Sequence, residues 1–155
     1  MGYVAEMRAL VGSRPLLLAS AGVLLLDAEG RLLLERRADN GLWGIPGGAV
    51  EVGERVEDAA QREALEETGL AVGALELFGV FSGPEMSTVY PNGDEASIVS
   101  VVFLSRDVTG VIRPDLPESL EVRWFAPDAL PPTDEISPAN RPILRAFAEW
   151  APAVD

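Results

Sequence analysis

The sequence predicts an α+β domain in which a mixed β-sheet is packed between helices. Two observations point to this class: predicted strands lie both before and after a central helix, and a second helix follows the last strand. With 155 residues, 48% of them hydrophobic, the chain can bury the core of one domain. We expect an N-terminal extension over residues 1–14 and a single domain over residues 15–151.

The predicted strands are apolar runs bounded by turn residues. They cover Leu16–Asp27, Arg31–Arg37, Leu75–Ser82, Ile98–Asp107 and Leu120–Phe125. The first two strands would form a hairpin. Residues 38–48 are rich in glycine and should be irregular, while residues 3–11 favour a short helix.

The central helix is predicted over Val56–Thr68, a segment without glycine or proline. Glu57 and Asp58 suit its first turn, and Gly69 provides a stop. A terminal helix is predicted over Ala139–Trp150, just after a Ser-Pro pair. The two helices would therefore lie on either side of the sheet.

The charge and the missing residue types exclude several functions. A formal net charge of −13 repels nucleic-acid backbone and anionic membrane, so we expect neither as a partner. The chain has no cysteine and no histidine, which removes disulfides, thiolate nucleophiles, imidazole bases and the usual zinc ligands. Its chemistry must use carboxylates, hydroxyls, basic side chains and hard metal ions.

The N-terminal part superficially imitates a signal peptide, because Arg8 and Arg14 precede an apolar run. Glu6 interrupts the basic region, however, and the run continues into the predicted hairpin. No stretch approaches the ~20 apolar residues of a membrane span. We expect a soluble cytoplasmic protein.

The central helix carries acidic residues on its apolar face. On a helical wheel Glu63 and Glu67 fall within about 20° of Val56, beside Ala59 and Ala60. A solvated acidic helix would place these acids on the opposite face. Inward carboxylates are costly unless a cation neutralises them, and oxygen ligands without histidine or cysteine favour Mg²⁺ or Mn²⁺.

Residues 48–70 resemble a known motif. They contain, at fixed spacing, Gly48, Glu54, Arg62, Glu63, Glu66, Glu67 and Gly69. This pattern is similar to the Nudix box, GX5EX7REUXEEXGU, at every fixed position, with Ala64 where the family prefers a larger aliphatic residue. The "LWGIPGG" stretch just before it also resembles the family. The resemblance implies the Nudix αβα sandwich.

The resemblance also implies a role for each residue of the box. Glu63 and Glu67 would be the principal metal ligands, with the carbonyl of Gly48 completing the set. Glu66 would be a third ligand or hold a metal-bound water. Glu54 would not bind the metal itself but would support the residues that do. Arg62 would orient the carboxylates through charge-assisted hydrogen bonds.

The implied reaction is hydrolysis of the diphosphate linkage of a nucleoside diphosphate joined to another moiety. Mg²⁺ would be the cofactor, with Mn²⁺ as a possible substitute, and a homodimer is possible. Arg36 and Arg37 could hold a terminal phosphate of this small-molecule substrate, or be ordinary edge-strand arginines.

Family members use a further acid, base or ligand from a loop beyond the box. The candidates are Glu85, Glu95, Glu118 and Glu121. Glu118 stands six residues before Trp124, as in MutT-like nucleotide pyrophosphohydrolases. Glu95, in the "YPNGDE" loop, competes with it, and either can equally be a solvated loop acid.

Two local similarities give different indications about the substrate. "SPANRPIL" resembles a MutT stretch in which an asparagine reads a purine base, so Asn140 either contacts a base or caps a helix. Pro84 falls near a proline typical of ADP-ribose pyrophosphatases, which leaves the substrate open.

Two functions on the same fold compete with hydrolysis. A non-catalytic nucleotide sensor of this fold usually loses box glutamates, whereas all are present here. An isomerase like isopentenyl diphosphate isomerase would need a cysteine, which this chain lacks.

Overall fold

The computed structural model describes residues 2–115 and 118–151. Its helices are α1 (Tyr3–Val11), α2 (Val56–Thr68) and α3 (Arg141–Trp150). Its strands are β1 (Leu16–Leu25), β2 (Leu32–Arg37), β3 (Trp43–Gly44), β4 (Gly47–Ala49), β5 (Leu70–Val72), β6 (Glu76–Phe81), β7 (Ser87–Val89), β8 (Glu95–Ser105), β9 (Val108–Gly110) and β10 (Ser119–Phe125). None of the helices within these ranges is long and apolar enough to cross a bilayer.

The strands form a mixed sheet and two smaller ones. The larger sheet has the order β4-β1-β8-β6, and β7 also pairs with β8. Strands β1 and β8 run parallel, whereas the other neighbours in this sheet are antiparallel. The second sheet has the order β10-β2-β3, and β5 pairs with β9.

Alternate residues of the central strands feed two separate cores. In β1, Leu24 belongs to the core that includes Phe147 of α3, while Val23 belongs to the core that includes Ala60 of α2. Because neighbouring side chains of a strand point to opposite faces, the two helices cover opposite faces of the strands. The predicted α+β sandwich is confirmed.

The central helix has the predicted boundaries, and Gly69 ends it. Its φ of 80° lies in the left-handed region, and its N–H donates to the carbonyl of Leu65 over 2.9 Å. The terminal helix was predicted two residues too early, because Pro138–Asn140 forms a 3₁₀ turn before α3 begins at Arg141.

The glycine-rich segment over residues 38–48 is not wholly irregular as predicted, since β3 and β4 lie in it or at its end. A Cβ on Gly47 would come within 2.6 Å of the Ala21 carbonyl oxygen, so glycine lets β4 lie close against β1. The three-residue strands β5, β7 and β9 were not predicted, because they are too short to show a periodic pattern.

Candidate active site

The site is built where α2 lies against β4. Gly48 pairs with Ala21 of β1, which fixes the position of its backbone. A Cβ on Gly48 would lie 2.7 Å from both Cδ and Oε1 of Glu63. The missing side chain therefore lets the Glu63 carboxylate come directly against the backbone of β4.

Arg62 connects the acidic side chains at the edge of this site. Its Nε and Nη2 donate to Glu54 over 2.7 and 3.0 Å, and its Nη1 donates to Glu63 over 2.9 Å and to Glu66 over 3.2 Å. Nη2 also donates to the carbonyl of Ala49 over 3.2 Å. The hydrogen bond to Arg62 lowers the pKa of Glu54, and the same bond raises the pKa of Arg62 despite its partial burial. One guanidinium thus orders three carboxylates.

Glu67 carries the most perturbed carboxyl group of the site. Burial, followed by the close carboxyl groups of Glu35 and then Glu63, raises its pKa far above the ordinary value of 4.5. Its Oε2 atom is buried and has no hydrogen-bond partner among the described residues. An unpartnered buried oxygen of this kind costs about 1–3 kcal/mol, and more when charged.

Glu35 is a residue of the site that the sequence analysis missed. It lies on β2, is only 5% exposed, and accepts a hydrogen bond of 2.9 Å from the Ser119 hydroxyl. Its carboxyl group lies against that of Glu67. The sequence did contain a signal for it. Glu35 directly follows the apolar run "LLL", and charged residues are rare in buried strands.

The donor set fits a hard divalent cation. No three acidic side chains of the described residues already converge on a metal position, which is consistent with the hydrogen bonds that tie Glu63 and Glu66 to Arg62. Two observations nevertheless point to a cation: the unpartnered oxygen of Glu67 and the close approach of the Glu63 carboxylate to the backbone of Gly48. Oxygen donors alone suit Mg²⁺ or Mn²⁺ better than zinc.

A cavity of about 360 Å³ adjoins this cluster at Gly48. Arg37, Tyr90 and Asn140 line it together with apolar side chains such as Met86. Mostly apolar walls with a few polar groups are typical of a site for a small organic ligand. The cavity and the carboxylates therefore share one boundary, which is the backbone of β4.

Asn140 is held in one orientation at the wall of the cavity. Its Oδ1 accepts the N–H of Ile45 over 3.0 Å. Its amide also packs over Gly44, where a Cβ would lie 2.9 Å from Nδ2. Asn140 makes no side-chain capping bond to α3, so its amide is fixed as a cavity-lining group instead of a helix cap.

The two arginines of β2 lie in different surroundings. Arg37 lines the cavity and donates to both carboxylate oxygens of Asp39, over 3.0 and 2.8 Å. Arg36 does not line the cavity; its nearest acidic partner is Glu121, 3.8 Å away. Of the pair, only Arg37 could reach a ligand in this cavity.

The candidate acids outside the box lie apart from the cavity. Glu118 is exposed, and its carbonyl accepts the N–H of Ala38. Glu95 is also exposed, and its carbonyl accepts a hydrogen bond from Arg8. Glu85 pairs with Arg145 over 3.1 Å at the surface. The structure brings none of these three carboxylates to the cavity wall.

Comparisons with known proteins agree with this geometry. A model of the NUDIX domain family matches residues 16–147. A MutT-like protein of Streptomyces ambofaciens is 39% identical over 116 residues, covering 75% of this chain and 68% of that protein. An ADP-ribose pyrophosphatase of Methanocaldococcus jannaschii is 30% identical over 129 residues, covering 81% and 70%. Other similar proteins are named RNA pyrophosphohydrolase and NAD-capped RNA hydrolase.

The fold leads to the same family. The crystal structure of a MutT NUDIX hydrolase from Burkholderia pseudomallei superposes with a TM-score of 0.70 at 31% identity, covering 84% of this chain and 97% of that one. Nudix hydrolases generally use a divalent metal, which suits the donor set at Gly48, Glu63 and Glu67. This chain belongs to the Nudix family and is a hydrolase that acts on phosphoric anhydride bonds.

Proposed function

We propose that the chain is a Mg²⁺-dependent pyrophosphohydrolase that cleaves the diphosphate linkage of a nucleoside diphosphate joined to another moiety. The observation that carries this proposal is the buried, unpartnered oxygen of Glu67 beside Glu63, whose carboxylate lies against the backbone of Gly48. A cation at this point would balance the Glu67 carboxylate, which forms no ion pair with a basic side chain among the described residues.

Different residues of the Nudix box would bind the metal, hold a water and orient the ligands. Glu63, Glu67 and the Gly48 carbonyl would bind it, and Glu66, which is largely exposed, would hold a water or a further coordination position. When bound, Mg²⁺ neutralises charge on the pyrophosphate oxygens and activates the attacking water. Arg62, anchored by Glu54, limits the freedom of the Glu63 and Glu66 carboxylates, which would still have to turn from Arg62 toward the cation.

The cavity would hold the nucleoside portion of the substrate. Asn140, with Oδ1 fixed by Ile45, presents its amide N–H groups as donors toward a base. Arg37 would contact a phosphate at the mouth, where its ion pair with Asp39 sets its direction. Together with the similarity of residues 137–144 to a MutT stretch that reads a purine, this arrangement favours a purine nucleotide. Pro84 gives weaker support to ADP-ribose as the substrate than Asn140 gives to a purine nucleotide, because Pro84 does not line the cavity.

A substrate panel tests the proposal. Purified protein with Mg²⁺ is incubated with nucleoside triphosphates, ADP-ribose, nucleotide sugars, dinucleoside polyphosphates and 5′-triphosphate RNA, and released phosphate or mononucleotide is measured. We expect turnover of at least one small nucleotide, loss of turnover in EDTA, and recovery with Mg²⁺ or Mn²⁺. Turnover that persists in EDTA would contradict the mechanism.

The same panel separates the enzyme from a nucleotide sensor. Glu67→Gln should bind a nucleotide of the panel yet lose at least about 100-fold in kcat, because a ligand of the metal is removed. A sensor would bind its nucleotide without turnover in both proteins. RNA cleavage in preference to every small nucleotide would overturn the prediction that nucleic acid is not a partner.

A further inference from the structure

Glu35 is a buried charge outside the Nudix box. Its neighbours Leu33 and Leu34 are fully buried, and Glu35 itself is 5% exposed. Its hydrogen-bond partner among the described residues is the hydroxyl of Ser119. A neutral hydroxyl does not balance a carboxylate, so burial of this side chain is unfavourable unless a cation is nearby.

Two basic side chains of the site are already engaged elsewhere. Arg62 donates to Glu54, Glu63 and Glu66, and Arg37 donates to Asp39. Within the described residues, neither Glu35 nor Glu67 takes part in an ion pair with an arginine. These two acidic groups, on β2 and α2, thus face each other without an ion pair to a basic side chain among the described residues.

We propose that Glu35 is a positioning residue of the metal centre, which holds the carboxylate of Glu67 from the side of the sheet and strengthens the site for a divalent cation. This inference rests on the proposed function. Ser119 fixes one oxygen of Glu35, and the Glu35 carboxyl group lies within hydrogen-bonding reach of Glu67. Two facing buried carboxyl groups are costly to hold charged together, and a divalent cation at the site would offset this cost.

This role differs from that of a purely structural buried acid. A structural Glu35 would stabilise the metal-free fold, so its replacement would lower stability with or without metal. If Glu35 instead positions Glu67, it destabilises the metal-free fold and adds to stability only when the cation is bound. The two roles therefore predict opposite changes in the stability of the metal-free protein.

The test uses Glu35→Gln, which keeps the size of the side chain and can still accept the Ser119 hydroxyl. Melting temperature is measured in EDTA and in saturating MgCl₂, and Mn²⁺ binding is measured by electron paramagnetic resonance. We expect a metal-free melting temperature equal to or above the wild-type value, a smaller rise on adding Mg²⁺, and Mn²⁺ affinity about 10–100-fold weaker. Unchanged Mn²⁺ affinity would overturn the inference, as would a lower metal-free melting temperature.

Two further variants complete the experiment. Glu76→Gln removes the same charge from an exposed position on β6 and should leave Mn²⁺ affinity unchanged. If Glu35→Gln does not fold, Ser119→Ala is used to test the role of Glu35 instead. Removal of the hydroxyl should weaken Mn²⁺ binding, and unchanged binding would reject that role.

The wild-type protein separates this inference from the proposed function. If it neither binds Mn²⁺ nor turns over any nucleotide with Mg²⁺, the proposed function fails. If it does both, and Glu35→Gln binds Mn²⁺ equally well, only the role of Glu35 fails.

Discussion

The carboxyl groups of Glu35 and Glu67 face each other in the protein interior, although they belong to different elements, β2 and α2. One oxygen of Glu67 has no partner among the described residues, and Glu35 is bonded to Ser119. This contact is costly for the fold, because two facing buried carboxyl groups cannot both stay charged without a cation. The contact is therefore an observation that supports the proposed cation site.

The metal-free protein should lose stability as the pH rises. Burial and the facing carboxyl groups raise the pKa of Glu67 above 4.5, so between that value and the higher folded value the folded state holds a proton that the unfolded state has released. The folded state then binds more protons, and stability falls with increasing pH. Urea unfolding in EDTA from about pH 5 to 8 measures the slope. Glu67→Gln should flatten it; an equal slope in this variant would show that other groups cause it.

Gly48→Ala should reduce turnover without unfolding the protein. The added Cβ would lie 2.7 Å from the Glu63 carboxylate and would force that side chain to move. A displacement of about 1 Å at a catalytic group can reduce kcat by ~100-fold. Steady-state kinetics and a melting curve measure the two effects. Gly79→Ala, in β6 and away from the site, is the control. Similar kcat values for both variants would contradict the role of Gly48 in making room for the Glu63 carboxylate.

Arg62→Gln should weaken the site and change the acid stability of the protein. The hydrogen bond to Arg62 holds the pKa of Glu54 below 4.5, so this bond stabilises the fold above that pH, and the stabilisation is lost as the pH falls through the lower folded value. We expect the variant to be less stable than wild type at pH 7, and the difference to be smaller at pH 3. Activity should fall about 10–100-fold. A stability difference that is the same at both pH values would argue against the Glu54 bond.

The sequence was sufficient to predict the helix that carries the box. The phase of Glu63 and Glu67 relative to Val56 and the alanines placed both acids on the inner side of α2, and Gly69 marked the end of the helix. These features are local, because a helical wheel depends only on spacing along the chain. The same spacing could not show that Glu67 would meet a carboxyl group from β2.

The features that were missed depend on long-range contacts. Glu35 reaches the site through the pairing of β2 with β10, which also supplies Ser119. Arg36 and Arg37 are adjacent in sequence, but alternate residues of a strand face opposite sides, so only Arg37 reaches the cavity. The pattern of a single strand identifies two faces without telling which one meets the ligand.

Arg8→Ala should raise KM while kcat changes little. Arg8 of α1 donates to the carbonyls of Arg14 and Glu95 and pairs with Asp94 over 3.5 Å. These contacts tie α1 to the hairpin formed by β7 and β8, whose turn carries Tyr90. Tyr90 lines the cavity, so release of the hairpin should loosen substrate binding roughly fivefold. Arg14→Ala, whose side chain is exposed, is the matched control. A fall in kcat with unchanged KM would mean that α1 affects the metal site instead.

Asn140→Ala should weaken purine nucleotides more than pyrimidine nucleotides. The bond from Ile45 to Oδ1 fixes the amide, so loss of the side chain removes an oriented donor from the cavity wall. A lost hydrogen bond to a base should reduce kcat/KM for the purine substrate by roughly tenfold. Asn40→Ala, at another polar position of the cavity, controls for a general change in shape. If purine and pyrimidine substrates lose equally in Asn140→Ala, Asn140 shapes the wall through Ile45 and Gly44 and does not read the base.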